Sequence, residues 1–274
     1  MKKTVLKVSA FSVAIALILC VLMFANSLVG NPISKALAQN TAEKHLAEAY
    51  PDTDYSLDEV SYCFKDGYYH AYISSESSID TQFTLLINGF GKLKYDDFDY
   101  NVTSGWATAS RIDLDYRNTV DKFFDSVSFP YDVHIGYGEL TFVTAEYKDE
   151  PITPDYAIVT DELTIDAYYN ACEFGKRAGK ITVYIADSDV CVERMAEVLL
   201  DIRESFDSAG IGFYVIDCVL EYPQTEGAEY VYGKVEVIDF LYSDIYEDGL
   251  VERVSVANDA ASEYYGMMDK ELAE

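Results

Sequence analysis

No charged residue lies between Lys7 and Lys35, and within that interval Val8 to Phe24 (VSAFSVAIALILCVLMF) is an almost unbroken apolar run. At 1.5 Å rise per residue a helix over this run spans roughly 26 Å, and continuing through Leu28 and Val29 it is long enough to cross a bilayer. The run therefore predicts one N-terminal transmembrane segment, with Val8, Phe11, Val13, Ile15, Leu17, Ile18, Leu19, Val21, Leu22 and Phe24 as the side chains meeting lipid. Lys2, Lys3 and Lys7 precede it with no acid among them, which places the N-terminus in the cytoplasm and everything after Gly30 outside. The expected location is thus the cell membrane, single-pass, with an extracytoplasmic body. The rival reading is a cleaved signal peptide. Ala36-Leu37-Ala38 has the small-x-small form, but it lies beyond Pro32 and Lys35, a dozen residues past the run; Ala25-Asn26-Ser27 is nearer and is followed by more apolar residues. A retained anchor fits the length of the run better. Cys20 is read as a membrane-buried cysteine, because Ile18-Leu19 before it lacks the small residue a lipobox needs.

Charge then limits partners. All 48 acids follow Gly30, against 17 of the 20 basic residues, so the exposed part carries −31 with histidines neutral. Such a field repels nucleic acid, anionic headgroups and anionic wall polymers and favours a soluble surface. Half of the chain is apolar, enough for a core, and the length beyond the anchor suits two modest domains. Cys63, Cys172, Cys191 and Cys218 show no C-x-x-C and no metal-ligand spacing among themselves; with apolar neighbours they read as free, small hydrophobes, the alternative being one pair among the three in the second half.

After the anchor, Asn31-Pro32 opens a helix with Ile33, Leu37, Thr41 and His45 at helical spacing, ending before Pro51. Tyr55 to Lys65, Tyr68 to Ser74 and Thr81 to Tyr95 alternate as strands; Asp66-Gly67 joins the first two and Asn88-Gly89, with Gly91, bends the third, both strong short hairpin signals. A second helix capped by Thr103 or Ser104 carries Trp106, Ala109, Ile112, Tyr116, Val120 and Phe123 on one stripe, which places Trp106 in the core.

The stretches NPISKALAQNTAEKHLAEAYPDTDY, VSYCFKDGYYHAYI, SSIDTQF, GKLKYDDF and VTSGWATASRIDLDYR, following the anchor, resemble the YfjL-like family of membrane-anchored proteins in Gram-positive bacteria. The resemblance is closest over the anchor and first domain; it implies the anchor and the domain plan and supplies no functional residue. The helix-then-meander order is also similar to PepSY and cystatin-like modules, which implies a domain that binds or restrains other proteins.

At Phe129-Pro130 the pattern changes, giving an anchor (1–30), a helix-plus-meander domain with its second helix (31–128) and an α+β sandwich, ferredoxin-like in outline (129–274). In the last domain Tyr131 to Ile135 and Glu139 to Ala145 alternate as strands. Thr164 caps a helix over 165–178, Ile181 to Ile185 is a strand, and Ser188 or Asp189 caps a helix over 190–208 stopped by Gly210. Phe213 to Leu220 and Tyr230 to Phe240 are strands and a helix runs from about Val254 to Leu272. A strand, a helix of about 20 residues and a strand imply a right-handed crossover between parallel neighbours.

No residue set states a reaction. His45, His70 and His134 stand alone in the sequence, without H-E-x-x-H or a nucleophile partner, and are expected to be structural. G-x-S-x-G, S-x-x-K, P-loop and dinucleotide patterns are missing, and Gly136-Tyr137-Gly138 lacks the strand-to-helix context of a phosphate loop. The acid groups Asp52/Asp54/Asp58, Asp96/Asp97/Asp99 and Asp187/Asp189 lack the pattern of a calcium loop. No catalytic, metal or cofactor residue is therefore expected. Tyrosine is in excess, 24 residues, with Tyr62, Tyr68 and Tyr72 in the first meander and Tyr214, Tyr222, Tyr230 and Tyr232 near the last hairpin; these fill half-buried strand positions or line a face for a peptide or sugar. The function expected is a non-catalytic, membrane-tethered binding module with a protein or peptide partner outside the cell and no nucleic acid. The alternative is an envelope hydrolase using paired carboxylates.

Overall fold

The computed structural model describes residues 2–224 and 233–273, with no side chains described at 2–10, 19, 22 and 265–273; Val8, Leu19, Leu22, Tyr230 and Tyr232 of the sequence reading lie outside the described side chains. The chain is α+β and divides into two compact units, Met1–Ala107 and Thr108–Glu274.

The first unit opens with α1 (Lys2–Val29), among the described residues the one helix long and apolar enough to cross a membrane; Phe11, Val13, Ile15, Leu17, Ile18, Val21 and Phe24 are exposed along it. Gly30 turns the chain with φ +67°, and α2 (Pro32–Ala49) starts at once, because Asn31 accepts the Ser34 N–H at 2.8 Å and Pro32 stands where a helix needs no N–H donor. That joint is gripped by the sheet beneath it. Tyr69 Oη accepts the Asn31 N–H at 2.8 Å, Tyr62 donates to the Ser27 carbonyl at 3.1 Å, and a Cβ on Gly30 would come within 2.6 Å of Tyr69 Oη.

Four antiparallel strands follow in chain order, β1 (Tyr55–Cys63), β2 (Tyr68–Ser75), β3 (Gln82–Ile87) and β4 (Leu93–Asp96). Both expected hairpins form: Gly67 takes φ +75° after Asp66, and Asn88 Oδ1 accepts the N–H groups of Phe90 and Lys92 at 3.0 Å to hold the β3–β4 turn. Alternation sends Tyr69, Ala71, Ile73, Phe83, Leu85 and Ile87 inward, where Ala38, Ala42 and Leu46 of α2 cover them. Tyr50, Tyr55, Phe83 and Phe98 close one end with ring centroids 5.0–5.9 Å apart.

In the second unit α3 (Trp106–Phe124) leads into β5 (Val133–Leu140), the short parallel pair β6 (Phe142–Val143) and β7 (Ile158–Val159), α4 (Ala171–Ala178), β8 (Gly179–Ala186), α5 (Val192–Ala209), β9 (Val215–Glu221), β10 (Lys234–Leu241) and α6 (Leu250–Ala273). The sheet order is β10-β9-β8-β5, with β8 and β9 parallel across the α5 crossover and both outer pairs antiparallel. Ile181, Val183, Ile185, Ile216, Cys218 and Leu220 form its inner face against Met195, Leu199, Ile202 and Phe206 of α5.

Several expectations are corrected. The amphipathic stripe of α3 is real, but Ile112, Tyr116, Val120, Phe123 and Phe124 belong to the second core, so the division follows Ala107 and falls one helix earlier than the change of pattern at 128–129. Trp106, in the first turn of α3, is part-buried and belongs to neither core, because the stripe enters the core only from Ile112 onward. The helix expected over 165–178 is confined to α4, since Asp166 takes φ +65° and Asn170, not Thr164, caps it at Cys172 N, 3.1 Å away. Likewise Cys191, not Ser188 or Asp189, caps α5. The strands expected over 131–135 and 139–145 merge into β5, continued by β6.

A chain trimmed to residues 108–274 is expected to melt cooperatively by circular dichroism, whereas one trimmed to 129–274 is expected to show no cooperative transition. Each large buried side chain lost costs about 2–5 kcal/mol, so losing five costs on the order of 10–25 kcal/mol, at or above most of the roughly 5–15 kcal/mol a domain has.

Candidate binding face on the second sheet

Because strand side chains alternate, the inner positions of the second sheet fix its outer ones. Gly136, Gly138 and Leu140 of β5 face the core, so Ile135, Tyr137 and Glu139 face outward; the register pairs them with Tyr184, Thr182 and Lys180 of β8, and those in turn lie beside Val219, Asp217 and Val215 of β9. The outward positions of β8 and β9 are themselves mostly buried, with Thr182 7 %, Val215 1 % and Val219 6 % exposed, so exposure concentrates on β5. Ile135 is 46 % and Tyr137 40 % exposed, and Tyr214 just before β9 stacks on Tyr156 with ring centroids 5.1 Å apart.

Charge at the end of this face is locked. Lys180 Nζ donates to Asp217 Oδ2 at 2.8 Å and to Asp239 Oδ1 at 2.7 Å. Asp239 sits in a bulge of β10 with φ +48°, held there as its N–H donates to Asp217 Oδ1 at 2.7 Å. Partial burial works against the Lys180 charge, but the two carboxylates outweigh it and push the ammonium well above its ordinary range. Burial, and after it the Asp239 charge, pushes the Tyr156 phenol upward too. An ammonium fixed this way is neither a base nor a nucleophile at neutral pH; it orders the face. At the other end His134 Nε2 lies 3.0 Å from Glu221 Oε1, with its ring 5.9 Å from that of Tyr184. The result is a shallow surface of tyrosine rings with hydroxyls and acids at its rim, suited to stacking and hydrogen bonding.

The remaining residues singled out from the sequence are mostly structural. None of the three histidines stands alone: His45 Nε2 and Tyr50 Oη each lie 2.7 Å from Asp96 Oδ2, and His70 Nε2 lies 2.7 Å from Asp66 Oδ2. Asp54 and Asp58 accept from Ser75, Ser77 and Ser74, which ties β1 to the end of β2. Asp97, whose carboxyl burial pushes upward, accepts from the Thr84 N–H and from Asn101 Nδ2. Asp187 accepts from Asp189 N and Arg194 Nε, both at 2.9 Å, and is held below the usual carboxylate range by them. Tyr62 pairs with Tyr69, Tyr72 is exposed, Tyr68 and Tyr222 are part-buried, and Cys20, Cys63, Cys172, Cys191 and Cys218 are free. Two open hollows of about 620 and 430 Å³ flank α5; they share Glu204 and Ser208 and lie away from the tyrosine face. The outward place of Tyr137 carries a sequence signal in its alternation with Gly136 and Gly138, but flanking glycines give that signal the look of a loop.

Residues 5–102 match the family model described as YfjL-like, N-terminal domain, and residues 115–255 match that of the YfjL-like C-terminal domain. The division after Ala107 falls in the gap between the two. Comparison with curated proteins and with solved structures returned no match.

Lys180→Met is expected to lower stability by about 1.5–3 kcal/mol at neutral pH, the range for hydrogen bonds to charged groups. Because the folded-state value is raised, this contribution is complete below about pH 10 and fades as the pH rises through the raised value. Denaturant melts at pH 7 and pH 11 check this: the gap between wild type and variant should narrow at the higher pH.

Proposed function

Because the chain belongs to the YfjL-like family, with both domain models matched in order along it, we propose that it is a membrane-tethered binding module of a Gram-positive envelope that holds another protein and catalyses no reaction. In this reading α1 stays in the bilayer as a single-pass anchor, Lys2, Lys3 and Lys7 keep the N-terminus in the cytoplasm, and both units work outside. The observation that supports it best is the exposed pair Ile135 and Tyr137 on the outward side of β5. The occupant we favour is an extracytoplasmic protein segment with aromatic and basic side chains: Tyr137 offers its ring, and the exposed chain as a whole, at −31, favours cations.

The helix-then-meander order of the first unit supports likening it to PepSY-type modules. The second departs from a ferredoxin-like split βαβ, because β8 and β9 are direct neighbours, and is best kept as an α+β sandwich. The alternative, a hydrolase with paired carboxylates, gains nothing from Asp97, whose oxygens are tied to Thr84 and Asn101.

Two measurements test the reading. Protease added to intact, wall-stripped cells should digest the chain beyond Gly30 and spare the first segment; protected acidic units would reverse the orientation. A photo-crosslinking residue at Tyr137 should capture one defined protein in living cells, while the same residue at Val127 should not, and Ile135→Glu should abolish the adduct. Equal capture at both positions, or none at Tyr137, would remove the face as the docking surface.

A further inference from the structure

The solvent side of the β1–β2 hairpin gathers three different donor atoms from eight residues, in the order Cys63-x-x-Asp66-x-x-x-His70. Cys63 ends β1 opposite Tyr68, and His70 stands opposite Ser61, so both side chains lie on the face turned away from the buried Tyr69 and Ala71. Gly67, at φ +75°, reverses the chain and leaves Asp66 over the same face. One atom from each side chain, the thiol sulfur, a carboxylate oxygen and an imidazole nitrogen, lies within 4.8 Å of the other two. Tyr68 N donates to Asp66 Oδ1 at 2.9 Å, which turns Oδ2 toward His70 Nε2, 2.7 Å away. Partial burial opposes the Asp66 charge, but the Tyr68 amide, His70 and the Cys63 thiol hold its carboxyl below the usual range.

We propose that this hairpin is a binding site for a divalent transition-metal ion of the zinc class, held by Cys63 Sγ, Asp66 Oδ2 and His70 Nε2 with a fourth position open to solvent. Ligands about 2.0–2.3 Å from a tetrahedral ion stand roughly 3.3–3.8 Å apart, so seating an ion requires the 2.7 Å Asp66–His70 contact to open by side-chain rotation. Sulfur and nitrogen donors select against calcium and magnesium, which take oxygen ligands. The Tyr68 N–H acts as the outer partner that orients the carboxylate. Binding is balanced by one proton: the thiol releases its hydrogen to solvent and binds as thiolate, Asp66 enters already ionised, and neutral His70 shifts its hydrogen from Nε2 to Nδ1 through solvent so that Nε2 offers its lone pair. The site is reachable, with the Asp66 side chain 37 % and the His70 side chain 22 % exposed, and the acidic chain raises the cation concentration around it. None of the residues of the tyrosine face takes part.

The test uses the full chain in detergent micelles, with cobalt(II) as the probe. A sulfur-to-cobalt charge-transfer band should grow to one ion per chain, and zinc should bleach it while a large excess of calcium does not. Cys63→Ser should abolish the band. His70→Gln and Asp66→Asn should keep it but weaken cobalt binding by at least about 10- to 100-fold, the size attached to lesser, outer-sphere partners. Circular dichroism shows whether each variant is folded, and His70→Gln alone decides the matter if the serine variant is not. Absence of the band in the wild-type chain, its persistence in Cys63→Ser, undiminished binding in His70→Gln, or displacement by calcium would each overturn the site.

Discussion

The second unit depends on a single phenol. Tyr116, fully buried on α3, donates to the Gly212 carbonyl at 2.7 Å, and its ring occupies a slot walled by glycines. A Cβ at Gly138 of β5 would stand 3.0 Å from the ring, one at Gly175 of α4 2.6 Å, and one at Gly179 of β8 2.7 Å from the hydroxyl; Gly175 also meets Gly212 so closely that a Cβ would lie 2.1 Å from its carbonyl. Burial pushes the phenol far upward, so it remains a neutral donor. One side chain thus ties together a helix, two strands, a second helix and the turn before β9. That is why α3 belongs with this sheet, and why the inner face of the sheet is closely filled.

Scarcity of positive charge shapes the polar architecture. With 20 basic residues against 48 acids, several cations bridge two carboxylates each: Arg117 joins Asp113 and Glu139, Lys180 joins Asp217 and Asp239, and Arg194 joins Asp187 and Glu197. Many of the acids are satisfied instead by hydroxyls and backbone N–H groups, as Asp54 and Asp97 are. The acid-rich composition is therefore partly structural, a supply of acceptors for turns and strand ends, as well as a source of net charge.

What could be seen in the sequence was local. Asp66-Gly67, Asn88-Gly89, Asn31-Pro32 and the α5 crossover each carry their conformation in adjacent residues, and the structure places turns, helix and parallel pair where those residues put them. The stripe of α3 said that one face is buried but not against which sheet, because amphipathicity names a face and not its partner. The His45–Asp96 contact spans 51 residues and leaves no trace in spacing, whereas Cys63, Asp66 and His70 lie close in sequence but are three different residue types whose donor atoms meet only once the hairpin folds. The Tyr116 slot was hidden for a further reason: its glycines come from separate elements, and each looks like an ordinary turn or strand glycine in isolation.

The joint at Gly30 leaves no slack between α1 and the first sheet. Asn31 and Ser27, on either side of it, are bonded to Tyr69 and Tyr62, and the next helix begins two residues later. On the membrane-anchored reading, a helix that changes its tilt to match a thicker or thinner bilayer would swing that sheet like a lever arm instead of trailing it on a leash. The first unit would then stand at a set height and heading above the lipid, so that a partner would meet one presented side of it.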